Sequence, residues 1–356
     1  MVDIEAKVES VKDQSHSLYI AKQANSEYYK DFLATAAAIK SVLSGKDFDK
    51  WLVEKMLLGD KPFNEKQYIQ YAVEASLARF FIDIDNNRVT LEKKVNPRSD
   101  KDVDVQFLDD KYIYNVEVKC PTFDEKEKSE EGDSLLVDIW GRLPDRGKNA
   151  IDSISSLLGQ SSSTVKKMDN NLKDFLLNAH QKFNPDASEN ELNVLLVGCG
   201  NLEDLQRWYG YMFAEQGLLT KSSFEPHVNF ENVDAIIITD RYYRHKHYSD
   251  SRITGAWSYA NGINLFFDNP FRKKEKNEAM QSFLNCFHHY TFEFKDYSEM
   301  VMKSHPDNYA VFESRLIPHF VPDTLRNDTS LKVYIDQIDE NKAKTLELLG
   351  KQQRKP

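Results

Sequence analysis

Between Arg98 and Pro121 the chain alternates apolar and polar positions with little interruption. Val103, Val105 and Phe107 are separated by Asp104 and Gln106, with Asp102 just ahead. That is the period of a half-buried strand. Past an Asp109-Asp110 turn, Tyr112, Tyr114, Val116 and Val118 alternate with Ile113, Asn115, Glu117 and Lys119. Residues of equal parity share a face, so Glu117 and Lys119 point the same way. An antiparallel partner strand can set Asp104 or Asp102 opposite Glu117. Two carboxylates and an ammonium on rigid strands make a site for a divalent metal and a phosphate.

The same periodicities lay out the rest of the chain. The stretch to about Leu58 reads as helical, with helices around Tyr28 to Leu43 and Phe48 to Leu57. Asn64 to Ile82 reads as a helix capped by Asn64. Val89 to Val95 is strand-like, and Met168 to Phe183 is an amphipathic helix with Asp169 as candidate cap. Leu192 to Cys199 and Val233 to Thr239 are continuous apolar runs, as expected of strands buried on both faces. Leu202 to Gln216 reads as a helix between them, and Ile263 to Phe267 as a further strand. Strand, helix, strand, helix, strand is the order of an α/β sheet covered by helices. The tail from Ser330 to Pro356 reads as helical. Phe123 to Ser134 and Gly159 to Thr164 read as loops, the first a candidate flap beside Lys119.

Within the helix of Asn64 to Ile82, Glu74 is the only acid after Glu65, and Tyr71, Leu77 and Ala78 neighbour it at helical spacing. A carboxylate on a mostly apolar face is costly without a partner. A contact with Arg79 or Lys66 is the plainer role for it, and Glu92 is a weaker competitor for a place in the site.

The Asp, strand-turn-strand, Glu-x-Lys arrangement resembles the core of the PD-(D/E)xK nuclease superfamily. The gap to Glu117 is 13 residues from Asp104 or 15 from Asp102, and both suit a hairpin. Val103 stands where the family's name-giving proline would be, which removes one anchor for choosing between the acids. Asp104 is preferred because it is nearer the strand centre, flanked by Val103 and Val105. The resemblance implies a restriction-endonuclease-like core with a mixed sheet flanked by helices, and a Mg²⁺- or Mn²⁺-dependent deoxyribonuclease of restriction, repair, recombination or phage-defence type. It places Asp104 and Glu117 on the metal, gives Lys119 the attacking water, and has Glu74 assist from the preceding helix. Carboxylates and waters suit a hard dication, with a substrate phosphate completing the shell. The alternative is a nucleic-acid-binding or scaffolding protein that keeps the fold without turnover; the intact Asp…Glu-x-Lys counts against it.

The 356 residues are read as a helical extension over 1–61, a nuclease-like core over 62–270, and a mostly helical region over 271–356 packed on the core. The net charge of −10 excludes an indiscriminate nucleic-acid binder, which usually carries a basic field. Basic residues cluster locally instead. In Arg241 to Arg252, the cations Arg241, Arg244, Lys246 and Arg252 are interleaved with Tyr242, Tyr243 and Tyr248, so this segment is the expected nucleic-acid contact. Phe271 to Lys276 is a second, and Arg142, Arg146, Lys148, Lys166 and Lys167 are further basic positions. Three widely spaced cysteines, Cys120, Cys199 and Cys286, point to a reducing cytoplasm, with no zinc spacing. His245 with His247, and His288 with His289, fit no metal pattern. No apolar run is long enough to span a bilayer. A homodimer would suit double-strand cutting, and the acidic surface would suit a partner complex.

Overall fold

The computed structural model describes residues 4–60, 62–121, 168–305, 313, 315–340 and 343. Five helices lead the chain: α1 (Ile4–Glu9), α2 (Ser17–Gln23), α3 (Glu27–Val42), α4 (Gly45–Glu54) and α5 (Glu65–Asp85). Asn64 caps α5 as expected, its Oδ1 accepting from the Gln67 backbone N–H at 3.1 Å, which satisfies one of the orphan donors of the first turn. The strands β1 (Val89–Lys93), β2 (Val103–Leu108) and β3 (Ile113–Lys119) follow. Beyond them come α6 (Met168–Lys182), β4 (Glu191–Gly198), α7 (Leu202–Phe213), β5 (Ala235–Thr239), α8 (Arg241–Lys246) and β6 (Asn264–Asp268). The helices α9 (Asn277–Cys286), α10 (Thr291–Ser304) and α11 (Leu316–Thr324) complete the named elements, and 332–340 are helical. Asp169 lies inside α6 rather than capping it.

The six strands form one mixed sheet in sequence order. β1, β2 and β3 are an antiparallel meander, β3, β4 and β5 run parallel, and β6 returns antiparallel to β5. The apolar runs in β4 and β5 are explained by their position, because alternate residues feed two separate cores. Val194, Leu196, Ala235 and Ile237 join the N-terminal helices on one face, while Leu195, Val197, Ile236 and Ile238 join α6, α7 and α11 on the other. The molecule is therefore an α/β sheet flanked by helices on both sides. The N-terminal helices share their hydrophobic cluster with β2 and β3, Phe32, Phe48 and Leu52 packing in the same body as Val105, Phe107 and Val116. No helix among the described residues is long and apolar enough to cross a membrane.

One expectation is overturned by burial. Arg241 to Lys246 is a short helix, and Arg241, Tyr242, Tyr243, Arg244 and His245 on it are all buried. Arg244 donates from Nε to Asp240 at 2.8 Å and from Nη1 to the Thr254 carbonyl at 3.0 Å. Arg241 donates to the Gly255 carbonyl at 2.9 Å and lies 5.0 Å from the centre of the Tyr259 ring. Arg252 forks onto Asp250, and Lys246 is half-buried. His245 bonds Tyr28 and Ser76, at 3.0 Å each, so it ties α3, α5 and α8 together rather than meeting a phosphate. Arg241 to His245 form an internal clamp, not a strand-binding surface. Gly262 passes so close that a Cβ there would fall 2.4 Å from Asp240 Oδ1 and 2.5 Å from Arg244 Nε, and its φ of +84° is one that glycine adopts freely. The cations of the second basic segment have partners within the protein, partly at its surface. Arg272 pairs with Asp268 and Glu275, Lys273 and Lys274 donate to the carbonyls of Pro185 and Ala187, and Lys276 pairs with buried Asp234. Arg142, Arg146, Lys148, Lys166, Lys167 and the two expected loops of 123–134 and 159–164 lie outside the described residues.

Candidate active site

The β2–β3 register brings the two acids together. The paired register ends at Val105 and Val116, and the next residues outward on the two strands are Asp104 and Glu117. Asp104 replaces a ladder contact with its own side chain, Oδ2 accepting from the Val118 backbone N–H at 2.7 Å. That bond fixes the carboxylate beside β3. Asp102 is exposed and precedes β2, whereas Asp104 is half-buried within it.

Glu117 is fully buried, and its charge is met by two ammonium groups. Lys119 Nζ lies 2.7 Å from Oε1, from the same face of the same strand. Lys182, the last residue of α6, lies 2.6 Å from Oε1 and donates to Oε2 at 2.7 Å. Burial, and then the nearby Asp104 charge, push the Glu117 carboxyl up to about 7, with the two lysines opposing the rise. Burial alone would lower the Lys119 ammonium, but Glu117 and the other acids outweigh it and raise it above its ordinary value.

Glu74 approaches from α5. Its partners are Lys55, just past α4, at 3.2 Å and Gln70 at 3.2 Å, while Arg79 turns away to Asp31, Thr35 and Asp83. Burial, and then Asp104, push the Glu74 carboxyl up to about 8. Lys55 also reaches Glu92 at 3.1 Å. Leu91 pairs with Val105 and Lys93 with Val103, which leaves Glu92 across from Asp104. Glu92 holds φ +50° inside a strand, a left-handed conformation that costs an L residue about 1–2 kcal/mol. Lys55 and Lys182 were not evident from the sequence, because each arrives from a distant helix and nothing in local spacing marks it among the other lysines.

Cys120 adjoins the site, and burial pushes its thiol above the ordinary value, which disfavours the thiolate that a nucleophile needs. Among the described residues no three His, Cys, Asp or Glu side chains converge as a ready-made metal cage. The oxygen donors present, Asp104 and Glu117 with Glu74 nearby, are still of the type a hard dication takes when waters fill its remaining positions. The shifted carboxyls point the same way, since a cation placed among them would stabilise charges that burial opposes.

The raised carboxyls set a pH dependence of stability. Between about pH 4.5 and 8 the folded state holds protons at Glu74 and Glu117 that the unfolded chain has released, so this contribution to stability is present at low pH and is lost as pH rises. For Glu117 the loss is on the order of 3 kcal/mol by linkage. Urea midpoints measured in EDTA should therefore fall across this window, and Glu74→Gln should flatten the fall. An unchanged slope in that variant would contradict the assignment.

Comparison of the chain with protein-family models, curated proteins and solved structures finds no match.

Proposed function

We propose that this chain is a metal-dependent nuclease with a restriction-endonuclease-like core, hydrolysing phosphodiester bonds in DNA. The observation that carries the reading is Asp104 bonded through its carboxylate to the Val118 N–H, beside Glu117, with Lys119 Nζ 2.7 Å from the Glu117 carboxylate. Asp104 and Glu117 would hold Mg²⁺ or Mn²⁺. When bound, the dication lowers the pKa of a coordinated water and offsets charge on the scissile phosphate.

The chain's own groups do the rest. Lys119 is held at the edge of the carboxylate pair by Glu117, where its ammonium can donate to the attacking water or to a phosphate oxygen carrying developing charge. Lys182 meets both Glu117 oxygens and so keeps that carboxylate oriented whatever Lys119 contacts. Glu74 Oε1 accepts from Gln70 and Oε2 from Lys55, which fixes a carboxyl that burial and the Asp104 charge push up to about 8, a site for one proton near neutral pH.

Two measurements test the reading. Supercoiled plasmid incubated with the protein in Mn²⁺ should be nicked, and EDTA should stop the reaction. Independently, Mn²⁺ at a hundred times its Kd should add about 2.7 kcal/mol of stability to the folded protein. That gain should be absent in Glu117→Ala. Stabilisation by Mn²⁺ without cleavage of any nucleic acid would leave a binding protein that retains the fold. The absence of both would reject the site.

A further inference from the structure

A cleft of about 290 Å³ opens beside the site, between α3, α4, α5 and the β1–β2 edge. Glu74, Glu92 and Asp104 line it together with Leu43, Trp51 and Tyr71. Trp51 is half-buried and stacked on core Phe48, ring centroids 5.7 Å apart at 18°, so the indole has a fixed orientation. Lys55 Nζ sits 4.7 Å from the centre of the Tyr71 ring and pairs with Glu74 and Glu92, which ties the aromatic wall to the carboxylates.

Three properties narrow the occupant. The volume lies at the small end of ligand pockets, which span about 300–1,000 Å³, so the cleft holds one flat group and not a helix. The lining carries Asp47 and Glu54 besides the site acids, against Lys50 and Lys55, and both lysines are already ion-paired. Apart from the acids assigned to the metal, such a lining offers a phosphate no unpaired lysine but accepts hydrogen bonds from an amine. An aromatic wall favours a π-face, and a base must leave its stack to present one.

We propose that the cleft receives a single unpaired nucleobase bearing an exocyclic amine, stacked on Trp51 next to the bond to be cut. The choice of a nucleobase over another flat amine, and its position relative to the cut, rest on the nuclease reading. The substrate is then a strand with an unpaired nucleotide at the cleavage point, as in single-stranded, flap or mismatched DNA, rather than a fully paired duplex.

An oligonucleotide carrying 2-aminopurine at an unpaired position tests this, titrated with the full-length protein in Ca²⁺. Stacking on Trp51 should quench the 2-aminopurine fluorescence. Trp51→Leu, which keeps apolar bulk without the indole, should abolish the quench and weaken binding roughly ten- to a hundredfold. An abasic position in place of the base should weaken wild-type binding by a similar factor, with no change made to the protein. No quench by the wild type, or equal quench by Trp51→Leu in a variant that melts like the wild type, would overturn the proposal. The same oligonucleotide in Mn²⁺ separates the two ideas. Quenching without cleavage would reject the nuclease reading and keep the cleft, and cleavage without quenching would do the reverse.

Discussion

Lys119→Ala should reduce DNA cleavage by about 10²–10³-fold while leaving the fold intact. The magnitude is that of removing one positioned donor from a developing oxyanion. The intact fold follows from the second lysine. Glu117 is fully buried, and losing its only counter-charge would leave an uncompensated carboxylate, which costs about 3–5 kcal/mol. Lys182 spans both Glu117 oxygens at 2.6 and 2.7 Å, so with Lys119 gone the carboxylate still has an ammonium against it. Activity lost with an unchanged melting temperature is therefore the expected signature, read from single-turnover cleavage beside a thermal melt. Glu117→Ala is a poorer probe, because it removes the partner of two half-buried lysines at once. Cleavage by Lys119→Ala at the wild-type rate would remove Lys119 from the chemistry.

Arg244→Ala should destabilise the protein by about 3–5 kcal/mol without altering nucleic-acid affinity per folded molecule. Arg244 and Asp240 are both completely buried and joined at 2.8 Å. Around them, Tyr334 donates its hydroxyl to Asp240 at 3.0 Å, the Ile263 N–H donates to it at 3.2 Å, and Arg244 Nη2 donates to the Ser330 carbonyl at 2.5 Å. Removing the arginine leaves the aspartate charge inside with its cation gone and orphans two carbonyls. The clamp joins α8, the 254–263 loop and the chain near Ser330, so the loss is felt across the second core. Urea denaturation measures it. A loss below about 1 kcal/mol together with weaker DNA binding would restore the segment as a surface contact.

These two arginine and lysine positions show what a sequence makes legible. The hairpin could be read because a strand's period is two, so Asp104, Glu117 and Lys119 declare their common face within a window of under twenty residues. The buried strands β4 and β5 could be read because a sheet covered on both faces leaves no polar position in the run. Arg241 to Arg252 misled because cations among tyrosines describe a nucleic-acid surface and a buried ion-pair clamp equally well. The burial of all five residues from Arg241 to His245 follows from tertiary packing, which no spacing in the sequence marks. Lys55 and Lys182 left no signal either. Their meeting with Glu74 and Glu117 depends on how α4 and α6 pack, across separations of 19 and 65 residues. Glu74 stood out because an acid among apolar neighbours demands a partner, but the partner proved to be Lys55 rather than Arg79 or Lys66.

The most direct measurement is cleavage of a panel of single-stranded, flap, mismatched and fully paired DNA, with RNA alongside, in Mg²⁺ and in Mn²⁺, by the wild type and by Asp104→Asn. The account predicts metal-dependent cleavage of DNA with unpaired nucleotides by the wild type and its loss in Asp104→Asn, which keeps the size of the side chain but removes the charge facing Glu117. Cleavage that persists in Asp104→Asn, or that proceeds in EDTA, would contradict it.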